Sequence, residues 1–142
     1  MATTRTAHTV WNGNLIEGAG TTTLDSSGLG TFDVTWKARS ESANGKTSPE
    51  ELIAAAHSAC YSMAFSNGVA NAGYTPEEVN TKADVTFQPG EGITGIHLTL
   101  VARIPGISEE EFQSLADDAR VNCPVSGALK ATPITLDATL AS

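Results

Sequence analysis

Residues 48–73, SPEELIAAAHSACYSMAFSNGVANAG, decide how this chain folds. Ser48 can cap a helix, Pro49 suits the first helical position, and Glu51 stands three residues after Ser48 as in a capping box. From Leu52 to Val69 the stretch is apolar around most of a helical circumference: Leu52, Ile53, Ala54, Ala55, Ala56, Ala59, Cys60, Met63, Ala64, Phe65 and Val69. A surface helix would show a single stripe. This pattern predicts a helix buried at the centre of the fold, with alanines that allow close approach by neighbours. Gly73 is its expected C-terminal cap.

On the N-terminal side the pattern changes to strands. Thr6 to Glu17 alternates around Ala7, Thr9 and Trp11 and turns at Asn12-Gly13-Asn14, and Gly18 to Leu24 is a second, Thr-rich strand. Phe32, Val34 and Trp36 alternate with Asp33, Thr35 and Lys37 as a third. These predict an antiparallel meander, followed by a polar loop from Glu41 to Lys46. On the C-terminal side, Val79 to Phe87 and Ile93 to Ile104 flank Gly90-Glu91-Gly92 and read as a hairpin. Ser108 caps a second helix with Glu109, Glu110 and Glu111 in its first turn. Phe112, Leu115, Ala116 and Ala119 form one stripe, so that helix lies on the surface. Cys123-Pro124 interrupts it, a short helix spans Val125 to Leu129, and Ile134 to Leu140 is a last strand. The order is βββ-α-ββ-α-α-β, an α+β fold in one domain, residues 1–142. A helix apolar all round needs cover on both sides, and one small sheet covers one side. The pattern therefore predicts a homodimer.

Composition bounds the function. Of 142 residues 40% are hydrophobic and 17% charged, which fits a packed globular chain. Eight Lys and Arg against sixteen Asp and Glu give a net charge of −8. So acidic a chain is poorly suited to nucleic-acid backbones or anionic lipid surfaces. No apolar run approaches the roughly 20 residues that span a bilayer, and Met1 to Thr9 is too polar for a signal peptide. The expectation is a soluble cytoplasmic protein. His8, His57 and His97 show no metal-ligand spacing with Cys60 or Cys123, so neither a metal nor another cofactor is expected.

Few residues can carry chemistry. A thiol in mid-helix, as at Cys60, has a raised pKa unless a cation is near. The available cations are Lys37, Arg39, Lys46, Arg103, Arg120 and His57. Arg39 reads as the end of a strand leading back to the helix start, where Glu50 can hold it. On these residues alone the plainer readings stay open: Cys60 as a small buried hydrophobe, His57 as a hydrogen-bonded core histidine, Glu50 as a solvated first-turn carboxylate, Arg39 as a strand-end surface charge, Cys123 as a helix end.

Two motifs shift that balance. SPEELIAAAHSAC (Ser48 to Cys60) and NCPVS (Asn122 to Ser126), with the PGIS segment (Pro105 to Ser108) and the strand in ITLDATL, resemble the OsmC/Ohr family of osmotically inducible and organic hydroperoxide resistance proteins. AAHSAC, with His57, is more similar to the OsmC branch. The resemblance implies antiparallel sheets around a buried central helix, an intertwined homodimer and a thiol-dependent peroxidase that favours organic hydroperoxides in stress defence. It implies Cys60 as peroxidatic cysteine, Cys123 as resolving cysteine, Glu50 as the carboxylate holding an arginine, and Arg39 as that arginine. An external thiol or dithiol would be the reductant. Met63, Phe65 and partner side chains are expected to form an apolar pocket. Other classes compatible with these residues are a thiol-based binding or sensing protein without turnover and a Cys/His hydrolase using Cys60 and His57.

Overall fold

Alternation in the first third of the chain yields three short strands, β1 (His8–Asn12), β2 (Ala19–Thr23) and β3 (Thr31–Val34), paired antiparallel in that order. The computed structural model describes all 142 residues. They form two compact units, Met1–Leu52 and Ile53–Ser142. In the first unit, the strand expected through Trp36 stops at Val34. Thr35 is extended, and its hydroxyl accepts from Ala38 N at 3.1 Å, which starts a short helix α1 (Trp36–Ser40). Arg39 therefore stands on a helical turn rather than at a strand end. A capping threonine ahead of Lys, Ala and Arg outweighs the alternation that Trp36 continues.

Helix α2 (Pro49–Asn71) starts in the first unit and continues into the second. Ser48 Oγ accepts from Glu51 N at 3.1 Å as its cap pattern predicts. Glu51 does not close the box on Ser48; it accepts from the Thr47 hydroxyl at 2.6 Å. At the other end Gly73 takes φ +94°, and Tyr74 N reaches back to Val69 O at 3.1 Å. Only glycine enters that left-handed conformation without strain.

The second unit holds the core. Strands β4 (Glu78–Gln88) and β5 (Gly92–Arg103) form the expected hairpin, in register from Glu78 opposite Arg103. Strand β6 (Ile134–Ala141) lies on the other side of β5 and runs parallel to it, with Ile96 opposite Ile134. This corrects the expectation of wholly antiparallel sheets: the second sheet is mixed. Two helices, α3 (Glu109–Asn122) and α4 (Pro124–Ala128), separate β5 from β6 and return the chain to the end where β5 begins. A crossover of that length permits parallel pairing, which a tight turn cannot. Central β5 buries Ile96, Leu98, Leu100 and Ala102 on one face. Against the same core lie Tyr61, Phe65 and Val69 of α2 and Phe112, Ala116 and Ala119 of α3. Phe65 stacks on Tyr61 at 6.1 Å and meets Phe112 edge-on at 5.8 Å.

The central helix is not buried all round within one chain. His57, Tyr61, Phe65 and Val69 form its buried stripe, while Ala55, Ala56, Ala59 and Ala70 are exposed and Met63 is 73% exposed. Met63 and Phe65 differ in the same way, Phe65 being fully buried while Met63 is exposed. No helix is long and apolar enough to cross a membrane.

Candidate active site

In the second unit, helix α2 places Cys60 one residue before buried Tyr61. Tyr61 donates to Ala116 O at 2.8 Å, tying α2 to α3 at that level. Cys123 stands where α3 ends and α4 begins, with φ −58° and ψ 134°. Proline at 124 disfavours a helical conformation for the residue before it and suits the first position of the next helix. Cys123 thus caps α4 with its sulfur, accepting from Ser126 N at 3.4 Å and from Ser126 Oγ at 3.5 Å.

The same break aims Cys123 at α2. Its sulfur is 3.3 Å from that of Cys60; both are free thiols, and either can donate to the other. Cys123 is fully buried and Cys60 partly so. Burial, and then the neighbouring Cys123, push the Cys60 thiol above its ordinary value. Burial pushes Cys123 up as well, but the hydrogen bonds from Ser126 and Cys60 outweigh it and leave Cys123 below the usual thiol range. Within this unit the two cysteines are therefore unequal, and Cys123 is the one stabilised as a thiolate.

His57, one turn before Cys60 on α2, is fully buried. Its Nε2 is 2.7 Å from Ser126 Oγ, and its Nδ1 has no hydrogen-bond partner. Neither nitrogen engages the Cys60 sulfur, so the Cys/His pair expected of a hydrolase is not formed. Burial holds the imidazole pKa below its ordinary value. Ser126 is the residue that sequence reasoning left without a role. Its position three residues after a capping cysteine was the available signal.

In the first unit, Arg39 Nε donates to both carboxylate oxygens of Glu50, at 2.6 and 3.1 Å. Glu50 is 7% exposed, a first-turn carboxylate on α2 that is paired rather than solvated. An open, mainly apolar cavity of about 360 Å³ has Trp11, Leu15, Val34, Trp36, Arg39 and Leu52 in its wall. One guanidinium beside apolar side chains suits a ligand with a polar head and a hydrocarbon body.

A family model described as OsmC-like protein matches residues 41–137. The chain belongs to the OsmC-like family. Among OsmC-like relatives, the peroxiredoxin OsmC of Escherichia coli K12 is 42% identical over 135 residues, 93% of each chain. An organic hydroperoxide resistance protein of Xanthomonas axonopodis pv. citri is 34% identical over 85 residues, 59% of this chain and 60% of that one. The crystal structure of an organic hydroperoxide resistance protein from Elizabethkingia anophelis superposes with a TM-score of 0.69 at 27% identity, over 99% of this chain and 100% of that chain. The expected fold, α+β with a helix-borne cysteine, is thus that of the OsmC-like family.

Proposed function

We propose that this protein is a thiol-dependent peroxidase that reduces organic hydroperoxides to alcohols in oxidative and osmotic stress defence. The observation that carries the reading is the pair of free sulfurs of Cys60 and Cys123 at 3.3 Å, brought together from two elements by a dedicated break between helices. The names of the relatives, peroxiredoxin OsmC and organic hydroperoxide resistance protein, support it.

In this reading the Cys60 thiolate attacks the terminal peroxide oxygen, the O–O bond breaks, and the alkoxide leaves as an alcohol after protonation. Cys60 is then a sulfenic acid. The family resemblance assigns to Arg39 the role of the cation that favours the Cys60 thiolate and receives the peroxide head, and Glu50 holds the guanidinium through its Nε. Cys123 closes a disulfide with Cys60, and an external thiol or dithiol reduces it by exchange. The sulfurs need to approach by little more than an ångström to reach the roughly 2.0 Å of an S–S bond. The apolar wall beside Arg39 favours alkyl peroxides over hydrogen peroxide, at about 0.8 kcal/mol per buried methylene.

Cys123→Ser tests the division of labour. It should leave the first oxidation intact, abolish the intramolecular disulfide, and let Cys60 proceed to sulfinic acid at a low peroxide excess. Normal repeated turnover in that variant would remove Cys123 from the mechanism.

The working molecule in this reading is a cytoplasmic homodimer of single domains spanning residues 1–142. The exposed face of α2 around Met63, with Val10, Ile16 and Phe32 exposed on the first unit, supports a second copy as cover. Light scattering should return twice the chain mass, and a monomer at micromolar concentration would contradict the dimer.

A further inference from the structure

His57 is a fully buried titratable group for which the peroxidase reading has no use. Its surroundings settle its state. The Ser126 hydroxyl has one hydrogen and two neighbours that can accept it, His57 Nε2 at 2.7 Å and Cys123 Sγ at 3.5 Å. If Ser126 donates to His57, the imidazole proton sits on Nδ1, where no acceptor exists. A buried N–H without a partner is rarer and costlier than a bare acceptor. An imidazolium meets the same penalty. The arrangement that avoids it is a neutral ring protonated at Nε2, donating to Ser126, which then donates to Cys123.

We propose that His57 is a positioning residue for the resolving step: through its Nε2–H it fixes the Ser126 hydroxyl as a donor to Cys123 Sγ and so makes Cys123 a ready thiolate. The proposal rests on the peroxidase reading, in which Cys123 resolves the Cys60 sulfenic acid. In that step the Cys123 thiolate attacks the Cys60 sulfur, the S–S bond forms, and the S–O bond breaks. Hydroxide leaves and takes up the proton that Cys123 had released, giving water. The sulfenic acid already carries both oxidising equivalents, so no further oxidant enters.

Cys60 and the backbone N–H groups of Ser126 and Val125 also favour the Cys123 thiolate, but none of these bonds is set by residue 57. From α2 come Cys60, its reaction partner, and Tyr61, whose hydroxyl burial holds in the neutral form while it donates to Ala116 O. On α3, Asp117 and Arg120 act on Tyr61 with opposite signs and pair with each other at 2.8 Å. The backbone N–H of Ser126 is fixed by the α4 cap whatever residue 57 is.

The expected effect has a distinctive pH dependence. In His57→Leu the Ser126 hydroxyl keeps its hydrogen but loses the imidazole N–H that holds its oxygen in place, so its donation to Cys123 weakens; losing such an oriented bond in full raises a thiolate's pKa by about one unit. Below both thiol pKa values the thiolate fraction falls about tenfold, while the more basic thiolate is about threefold more nucleophilic. His57→Leu should therefore resolve about threefold more slowly than the parent on the acid side of the profile. At a pH above both thiol pKa values it should resolve about threefold faster. His57→Gln, which offers an N–H in a similar place, should restore the parent profile.

The experiment is stopped-flow measurement of sulfenic acid formation and decay from pH 6 to 10 with cumene hydroperoxide. It is paired with the pH profile of Cys123 alkylation in a Cys60→Ser background. Support is a crossover in the decay rates, an unchanged formation rate, and a Cys123 profile moved up by about one unit in the His57→Leu protein. Parallel decay profiles, or an unmoved Cys123 profile, overturn the proposal. If His57→Leu does not fold, Ser126→Ala must give the same crossover. Absence of any disulfide in the parent protein would instead remove the peroxidase reading. The alkylation arm would still decide whether His57 controls Cys123.

Discussion

Cys60→Ser should reduce hydroperoxide turnover to the uncatalysed background while leaving the fold intact. A serine hydroxyl has no appreciable alkoxide at neutral pH and does not form a stable oxidised state equivalent to sulfenic acid, so the attack on the peroxide oxygen has no nucleophile. Cys60 is only partly buried, and Tyr61 next to it carries the packing and the Tyr61–Ala116 hydrogen bond. Exchange of sulfur for oxygen at the half-buried position should therefore change stability by no more than about 1–2 kcal/mol. The check is coupled turnover with a dithiol and an organic hydroperoxide, beside thermal unfolding. Residual turnover above background in the folded variant would mean that Cys60 is not the peroxidatic residue.

Arg39→Ala should be the next most damaging change. In the proposed mechanism its charge is what offsets the upward push that burial and Cys123 exert on the Cys60 thiol. An adjacent opposite charge moves a titrating group by about 1–3 pKa units. Its removal should cut the Cys60 thiolate at neutral pH by about tenfold or more, and should remove a contact to the peroxide as well. The variant also leaves Glu50, 7% exposed, without its guanidinium, and stranding that carboxylate costs about 1–3 kcal/mol, since the Arg39 side of the pair is partly open to solvent. Arg39→Ala combined with Glu50→Ala avoids the stranded carboxylate and separates the two effects. The reading is the pH profile of Cys60 alkylation, made in a Cys123→Ser background. An upward shift in both the single and the double variant is expected, and an unmoved profile would strip Arg39 of its role.

Much of this arrangement was legible in the sequence because local rules decide it. Ser48, Pro49 and Glu51 mark a helix start wherever they occur, and strict alternation from Val79 to Phe87 allows no other reading than a strand with one covered face. Cys123-Pro124 marks a break between helices for steric reasons that are equally local. What escaped depended on competition or on distance along the chain. Trp36 continues an alternating pattern, yet the Thr35 hydroxyl captures Ala38 N and the chain turns into a helix instead. The direction of β6 is set by the length of the α3–α4 crossover and not by its own residues, which would fit either direction. The apolar circumference of α2 overstates the burial one chain achieves, since Ala55, Ala56, Ala59 and Met63 are exposed. His57 and Ser126 are 69 positions apart, and no periodicity links them. The family motifs quoted both residues without showing that they touch.

The central claim is that Cys60 and Cys123 form a disulfide at the expense of an organic hydroperoxide. Its most direct test is intact mass and free-thiol count after one equivalent of cumene hydroperoxide, beside the same dose of hydrogen peroxide. The mechanism predicts rapid loss of both thiols and of two hydrogens in mass, faster with the organic peroxide, and full reversal by a dithiol. A folded protein that keeps both thiols under that dose would contradict it and would return Cys60 and Cys123 to a structural role.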